Sequence, residues 1–169
     1  MDISDIIQIG IGIATCISVI LIWLSTRANN ERRKKELTVQ YTDSHNANVE
    51  GLLSSIYKNS LNGKVDLEKV LADEDLLWTV EKYLFAMERL AVGINTCVFD
   101  IHVFDRIMGQ KTIEHYDALC TYIKHIRKED YTSKYSEFEF LVDELRKIRE
   151  KRFPKPENGT KGNIGKFWG

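Results

Sequence analysis

Proline is almost missing from this chain: among 169 residues there are two, Pro154 and Pro156. Upstream of them nothing in the residue chemistry forces a helix to break. Three cysteines, Cys16, Cys97 and Cys120, offer no paired framework, so the chain is not a disulfide-stapled domain and its thiols are expected to be reduced. Net charge is also scarce: 24 Lys and Arg against 25 Asp and Glu leave −1, which excludes nucleic-acid binding by bulk electrostatics. Strand-like runs are nearly absent, Cys97 to Phe99 being too short for a sheet. Glycine loops that cradle phosphate, the zinc-protease helix motif and the nucleophile elbow are missing too. No Arg precedes a His by the short spacing used in small helical ribonucleases; the nearest pair, Arg106 and His115, has eight residues between. The sequence therefore points away from an enzyme, and no cofactor or metal is expected.

What is present is a run without charge. Residues 6–24 form a nineteen-residue apolar stretch, and Arg27, Arg32, Arg33, Lys34 and Lys35 follow it. A bilayer core about 30 Å thick needs roughly 20 helical residues, so the stretch is long enough to span. Asp2 and Asp5 stand where a secretory signal would carry Lys or Arg, and no small-residue cleavage site follows, so a retained anchor is expected. Thr15 before Cys16 argues against a lipoprotein site. Positive flanks stay cytoplasmic, which predicts a single-pass inner-membrane protein with its N-terminus outside and its body in the cytoplasm. Within the span Gly10, Ala14 and Ser18 make a small-residue ridge of the kind that lets helices associate in lipid, so a homo-oligomer is expected.

The fold class implied is all-α: one N-terminal transmembrane helix and a cytosolic bundle of about five helices. Its organisation reads as an anchor over residues 1–26, a basic juxtamembrane and stalk helix over 27–60, a helical domain over 61–153 and a disordered tail over 154–169. The polar stretch 42–48 suggests a break in the stalk. Asn62 and Gly63 signal a turn, and Asp66, Asp73 and Asp100 sit where helix caps are needed. After Asp73, Leu77, Val80, Leu84, Met87, Ala91 and Ile94 follow helical steps, with Trp78, Phe85 and Leu90 as a second apolar flank, so this helix should be central. A short helix is expected over 101–108, ending at Gly109. Two more are expected over 112–128, with Ile113, Tyr116, Leu119, Ile123 and Ile126 inward, and over 134–152, with Phe138, Leu141, Leu145 and Ile148 inward.

Glu88 sits within the apolar pattern, where a lone carboxylate is costly, so an ion pair with Arg106 or Arg127 is expected. Cys97, His102, Cys120 and His125 superficially suggest zinc, but Cys120 and His125 are five apart and point about 140° away from each other on a helix. The thiols are expected in the core and His125 at the surface. Lys124, Arg127 and Lys128 crowd one helix end with Tyr122 and Tyr131 nearby, and Arg146 and Arg149 crowd the end of another. Cations with aromatic faces suit an anionic ligand such as a nucleotide, although cations at helix ends also simply complement the helix dipole.

The run from Tyr83 through Ala86, Met87, Glu88, Leu90, Ala91 and Gly93 to Ile94, then Val98, Phe99 and Asp100, then Arg106 to Gly109, resembles a bacterial family of short membrane-anchored proteins described only as a domain of unknown function. Tyr116, Tyr122, Ile123 and Arg127 continue the resemblance, which covers residues 83–152. It implies a single-pass anchor and a cytosolic helical domain, and brings no activity. In layout such proteins resemble sensor and effector proteins of anti-phage defence, some of them responsive to nucleotide second messengers. The expectation is a non-enzymatic membrane sensor or effector coupling a ligand or protein partner to the bilayer; the alternative is a tether or scaffold for a partner protein.

Overall fold

A computed structural model of the chain describes residues 3–58, 60–61, 63–130 and 133–154. The expected tail beyond Pro154, and Tyr131, lie outside the described residues. The first element is a single helix, α1 (Ile3–Lys58), 56 residues and so roughly 84 Å long at 1.5 Å per residue. A hairpin of two-residue strands, β1 (Ser60–Leu61) and β2 (Lys64–Val65), follows, turned by Gly63 at φ +74°. The remainder is helical: α2 (Leu67–Ala72), α3 (Glu74–Asn95), α4 (Ile101–Phe104), a π-turn (Asp105–Gly109), α5 (Gln110–Asp130) and α6 (Ser136–Arg152). The class is all-α, as the periodicity requires.

α1 does two jobs along one axis. Its apolar part is exposed from Ile11 to Leu24. This is one helix near the N-terminus long and apolar enough to cross a membrane. Ala14 and Ser18 are exposed there, and the Ser18 and Thr15 hydroxyls donate to the carbonyls of Ala14 and Ile11 one turn back. Gly10 lies on the same helix.

From Thr38 onward α1 enters the bundle. The break expected over 42–48 does not occur. Thr38 and Thr42 are buried because their hydroxyls donate to the carbonyls of Lys34 and Thr38, which spares them solvent, and Thr38 Oγ1 also accepts the Asp100 amide at 2.8 Å. His45 is buried against Met87, and Val49 and Ile56 complete the inward face.

α3 is the central helix, burying Leu76, Val80, Tyr83, Leu84, Met87, Leu90, Ala91 and Ile94. Its expected second flank is only partly internal. Leu90 is buried, but Trp78 and Phe85 are 60% and 61% exposed, with Lys82 over the Trp78 ring and Arg89 over the Phe85 ring. The three caps form as expected: Asp66 accepts from Glu68, Asp73 from Asp75 and Leu76, and Asp100 from His102 and Val103. Between α3 and α4, Gly93 admits the Phe99 ring, which a Cβ would meet at 2.5 Å. Cys97 takes φ +61° in that turn and is exposed, not a core thiol; Cys120 is half-buried against the core.

Gly109 does not end a helix. The run from α4 passes through a π-turn straight into α5, and a side chain at Gly109 would strike the Asp105 carboxylate. Asp105, with its side chain fully buried, pairs with Arg149 at 3.1 Å and Arg152 at 2.5 Å, which ties α6 to the π-turn.

Glu88 also finds a partner other than the expected one. Its two carboxylate oxygens accept the backbone amides of Glu137 and Phe138 at 3.2 and 2.8 Å, in the first turn of α6. Tyr135, the residue preceding α6, has φ +61° and gives no side-chain cap, so α3 supplies the cap across space. Arg127 instead binds Glu139 at 2.6 Å, and Arg106 is exposed.

Candidate ligand cavity between α1 and α5

Residues at helical spacing on α1, Asn46, Val49, Glu50 and Leu53, share one face. Opposite them the π-turn and α5 present Met108, Lys111, Glu114 and His115, again one helical turn apart. The two walls enclose a cavity of about 470 Å³, within the usual size range of small-molecule sites. Val49, Leu53 and Met108 give it apolar surface, and both walls also carry polar groups, Asn46 and Glu50 on α1 and Lys111, Glu114 and His115 on α5. Glu50 and Glu114 are exposed carboxylates, and the buried Asn46 Oδ1 has no hydrogen-bond partner among the described residues.

His115 is the most perturbed group of the cavity. Its Nδ1 shares a 2.6 Å hydrogen bond with the Tyr83 hydroxyl, and the two rings meet edge to face at 5.7 Å. Burial pushes its pKa down to about 4; Glu114 opposes this, while Lys111 and His45 add to it. The imidazole is therefore neutral at pH 7. Behind it, His45 Nε2 lies 3.3 Å from Met87 Sδ, and burial lowers its pKa as well. The chain thus holds two uncharged histidines between α1, α3 and α5.

The cationic residues marked in the sequence lie elsewhere and apart. Lys124 and Lys128 line a groove of about 320 Å³ with Lys64, Leu67 and His125, the last half-buried. Arg146 and Arg149 border a different groove of about 280 Å³ with Ile113 and Phe153. Arg146 pairs with Asp117 at 2.6 Å and with Asp143 at 3.2 Å, Arg149 pairs with Asp105, and Arg127 is committed to Glu139. Bonds from Arg127 and Tyr116 hold the Glu139 carboxyl below the usual range, while burial and that same bond raise the Tyr116 phenol. Tyr122 is buried, its hydroxyl donating to Glu81 at 3.4 Å. No group of three or more His, Cys, Asp or Glu among the described residues is arranged to hold a metal ion.

None of the cavity residues was marked as a binding residue in the sequence, although Val49 and Leu53 read as part of the apolar face of the stalk helix. Their signal is there as two short helical-period sets, 46, 49, 50, 53 and 108, 111, 115, but only the fold brings the sets together. Residues 10–145 match a family described as a domain of unknown function, DUF4760. The match runs from inside the apolar stretch of α1 through most of the bundle, so both halves of that helix fall within one family unit. No curated protein and no solved structure matches the chain.

Proposed function

We propose, for a chain that belongs to the DUF4760 family, a non-enzymatic role as a single-pass inner-membrane sensor whose cytoplasmic bundle couples a bound ligand to the span. The observation that carries this reading is the unbroken course of α1. One helix presents an exposed apolar surface from Ile11 to Leu24 and then lines a cavity with Asn46, Val49, Glu50 and Leu53. A ligand that favours one position of that wall biases the position of the whole rod, because a helix without a hinge transmits displacement along its length. The basic cluster from Arg27 to Lys35 supports a cytoplasmic bundle and an external N-terminus. Gly12 and Cys16, one turn apart on the exposed span, support close pairing with a second copy.

The test has two parts. Full-length protein should remain in the membrane fraction after alkaline extraction, with C-terminal reporter fusions active only in the cytoplasm. In a Cys97→Ser, Cys120→Ser background, disulfide formation at Cys16 should change when the cavity is occupied. A protein that fractionates with the cytosol, or a span that never self-associates and never responds, removes the reading.

A tether for a partner protein is favoured by a different observation. Trp78, Phe85 and Val92 recur every seven residues on α3 and are all exposed, forming an apolar stripe along one face of that helix. Co-purification of one stoichiometric partner that is lost in Phe85→Glu, with no response at Cys16, would support the tether over the sensor.

A further inference from the structure

We infer that the groove between α5 and the hairpin of β1 and β2 binds a soluble, multiply charged phosphate; this site stands apart from the cavity of the sensor reading and does not depend on it. On α5, Cys120, Lys124 and Lys128 lie one above another at four-residue steps, with Thr121 and His125 beside them. Lys64 on β2 and Leu67 at the start of α2 close the groove from the other side, and its volume is about 320 Å³. Charge separates it from the other two grooves, which carry the carboxylates of Glu50 and Glu114 in one and of Glu150 in the other. Here three ammonium groups, an imidazole and a hydroxyl come together, with no carboxylate lining the groove among the described residues.

These donors are uncommitted. Arg127, Arg146 and Arg149 are neutralised by carboxylates, whereas Lys64, Lys124 and Lys128 form no ion pair among the described residues. The hydroxyls of Thr38, Thr42, Thr79 and Thr96 each donate to the carbonyl one turn back, but that of Thr121 makes no hydrogen bond among the described residues. Offsetting the helix dipole accounts for Lys128 in the last turn of α5; Lys124 lies a turn deeper and Lys64 belongs to another element. Like charges around one groove repel, and a polyanion among them converts that repulsion into attraction. A phosphate group carries about two negative charges at neutral pH and three acceptor oxygens, which suits ammonium, imidazole and hydroxyl donors. No aromatic ring lines the groove among the described residues, so it offers no stacking face for a nucleobase. The ligand is soluble because the hairpin follows the far end of α1, roughly 50 Å past Leu24 at 1.5 Å per residue, beyond the reach of headgroups at the end of the span.

Cys120 lines the groove and reports on its occupancy, since in a Cys16→Ser, Cys97→Ser background it is the one remaining thiol. Full-length protein in phosphatidylcholine nanodiscs is alkylated with iodoacetamide, with pyrophosphate and acetate as probes at equal ionic strength. Pyrophosphate should slow alkylation of Cys120 saturably and acetate should not. Lys64→Gln and Lys124→Gln, both at exposed positions, should each raise the pyrophosphate concentration for half protection by about fivefold or more. The inference is overturned if pyrophosphate gives no saturable protection, if acetate protects equally, or if both substitutions leave half protection unchanged. Phosphatidylglycerol nanodiscs should give the same result, because surface charge at that distance is screened at physiological salt. Loss of pyrophosphate protection in those discs would mean that lipid headgroups occupy the groove and would overturn the soluble ligand.

Discussion

The carboxylate of Glu88 accepts the backbone amide of Phe138 at 2.8 Å across fifty residues of sequence. α6 thus starts with its second and third amides satisfied by a different helix, and the negative charge lies at the positive end of the α6 dipole. Loss of a helix cap costs about 1 kcal/mol, with a range of roughly 0.5–2. Glu88→Ala should destabilise the bundle by about that amount, and Glu88→Gln by less, because an amide oxygen still accepts one of the two bonds. Thermal unfolding of the two variants in the same detergent checks the order.

His115 makes stability depend on pH. Its folded-state pKa of about 4 lies below the ordinary 6.5, so the folded form binds the proton more weakly than the unfolded one. The contribution is complete above about 6.5 and is lost progressively as pH falls to about 4. At about 1.4 kcal/mol per pH unit, the loss is on the order of 3 kcal/mol. Unfolding of wild type and His115→Gln should be compared from pH 7.5 to 4. The wild type should lose stability more steeply, and parallel curves would refute the assignment.

Asp105 is a fully buried carboxylate held by Arg149 and Arg152, and Gly109 leaves it room. Removing one side of a buried ion pair costs about 3–5 kcal/mol because the remaining charge is stranded. Arg149→Ala, which leaves Arg152 on the carboxylate, should cost less than Arg149→Ala combined with Arg152→Ala, which strands it and should be severe. Gly109→Ala should be destabilising in the wild type and much milder with Asp105→Ala, since the added methyl then meets no carboxylate. A double-mutant cycle measures that coupling.

Two neighbours on α3 should behave oppositely. Leu84 is fully buried, so Leu84→Ala should cost about 2–5 kcal/mol. Phe85 is 61% exposed, and Phe85→Ala should shift stability by less than about 1 kcal/mol. Chemical denaturation resolves the difference.

Much of this architecture was legible in the sequence, for local reasons. Asp66, Asp73 and Asp100 read as caps because a short carboxylate bonds amides two or three residues on, whatever the surrounding fold. Most of the inward set of α3 was legible because its buried residues follow the helical period, but Leu77 is only half-buried and Leu76 and Tyr83, outside the expected set, are buried. What did not read was set by distant partners. Backbone amides carry no residue signature, so nothing in the sequence told that Glu88 caps α6 rather than pairing with Arg127. The polar stretch 42–48 resembled a break because Thr42 and His45 are hydrophilic in water, yet a hydroxyl bonded to the preceding turn and a neutral imidazole both bury well. Gly109 resembled a helix stop because glycine is common there; its actual use is to admit Asp105. Likewise the cavity was hidden because Asn46 and His115 stand on different helices.

The π-turn at Asp105–Gly109 amounts to one surplus residue in a continuous helical run from Ile101 to Asp130. Each residue of regular winding advances the helix face by 100°, so the surplus sets the azimuth of everything before it relative to everything after. Excising one residue there would swing α4 around by about that angle, carrying Phe104 out of the core while α5 stayed seated. The bulge works as a fixed phase offset, and it lets two stretches of one rod address two different neighbours.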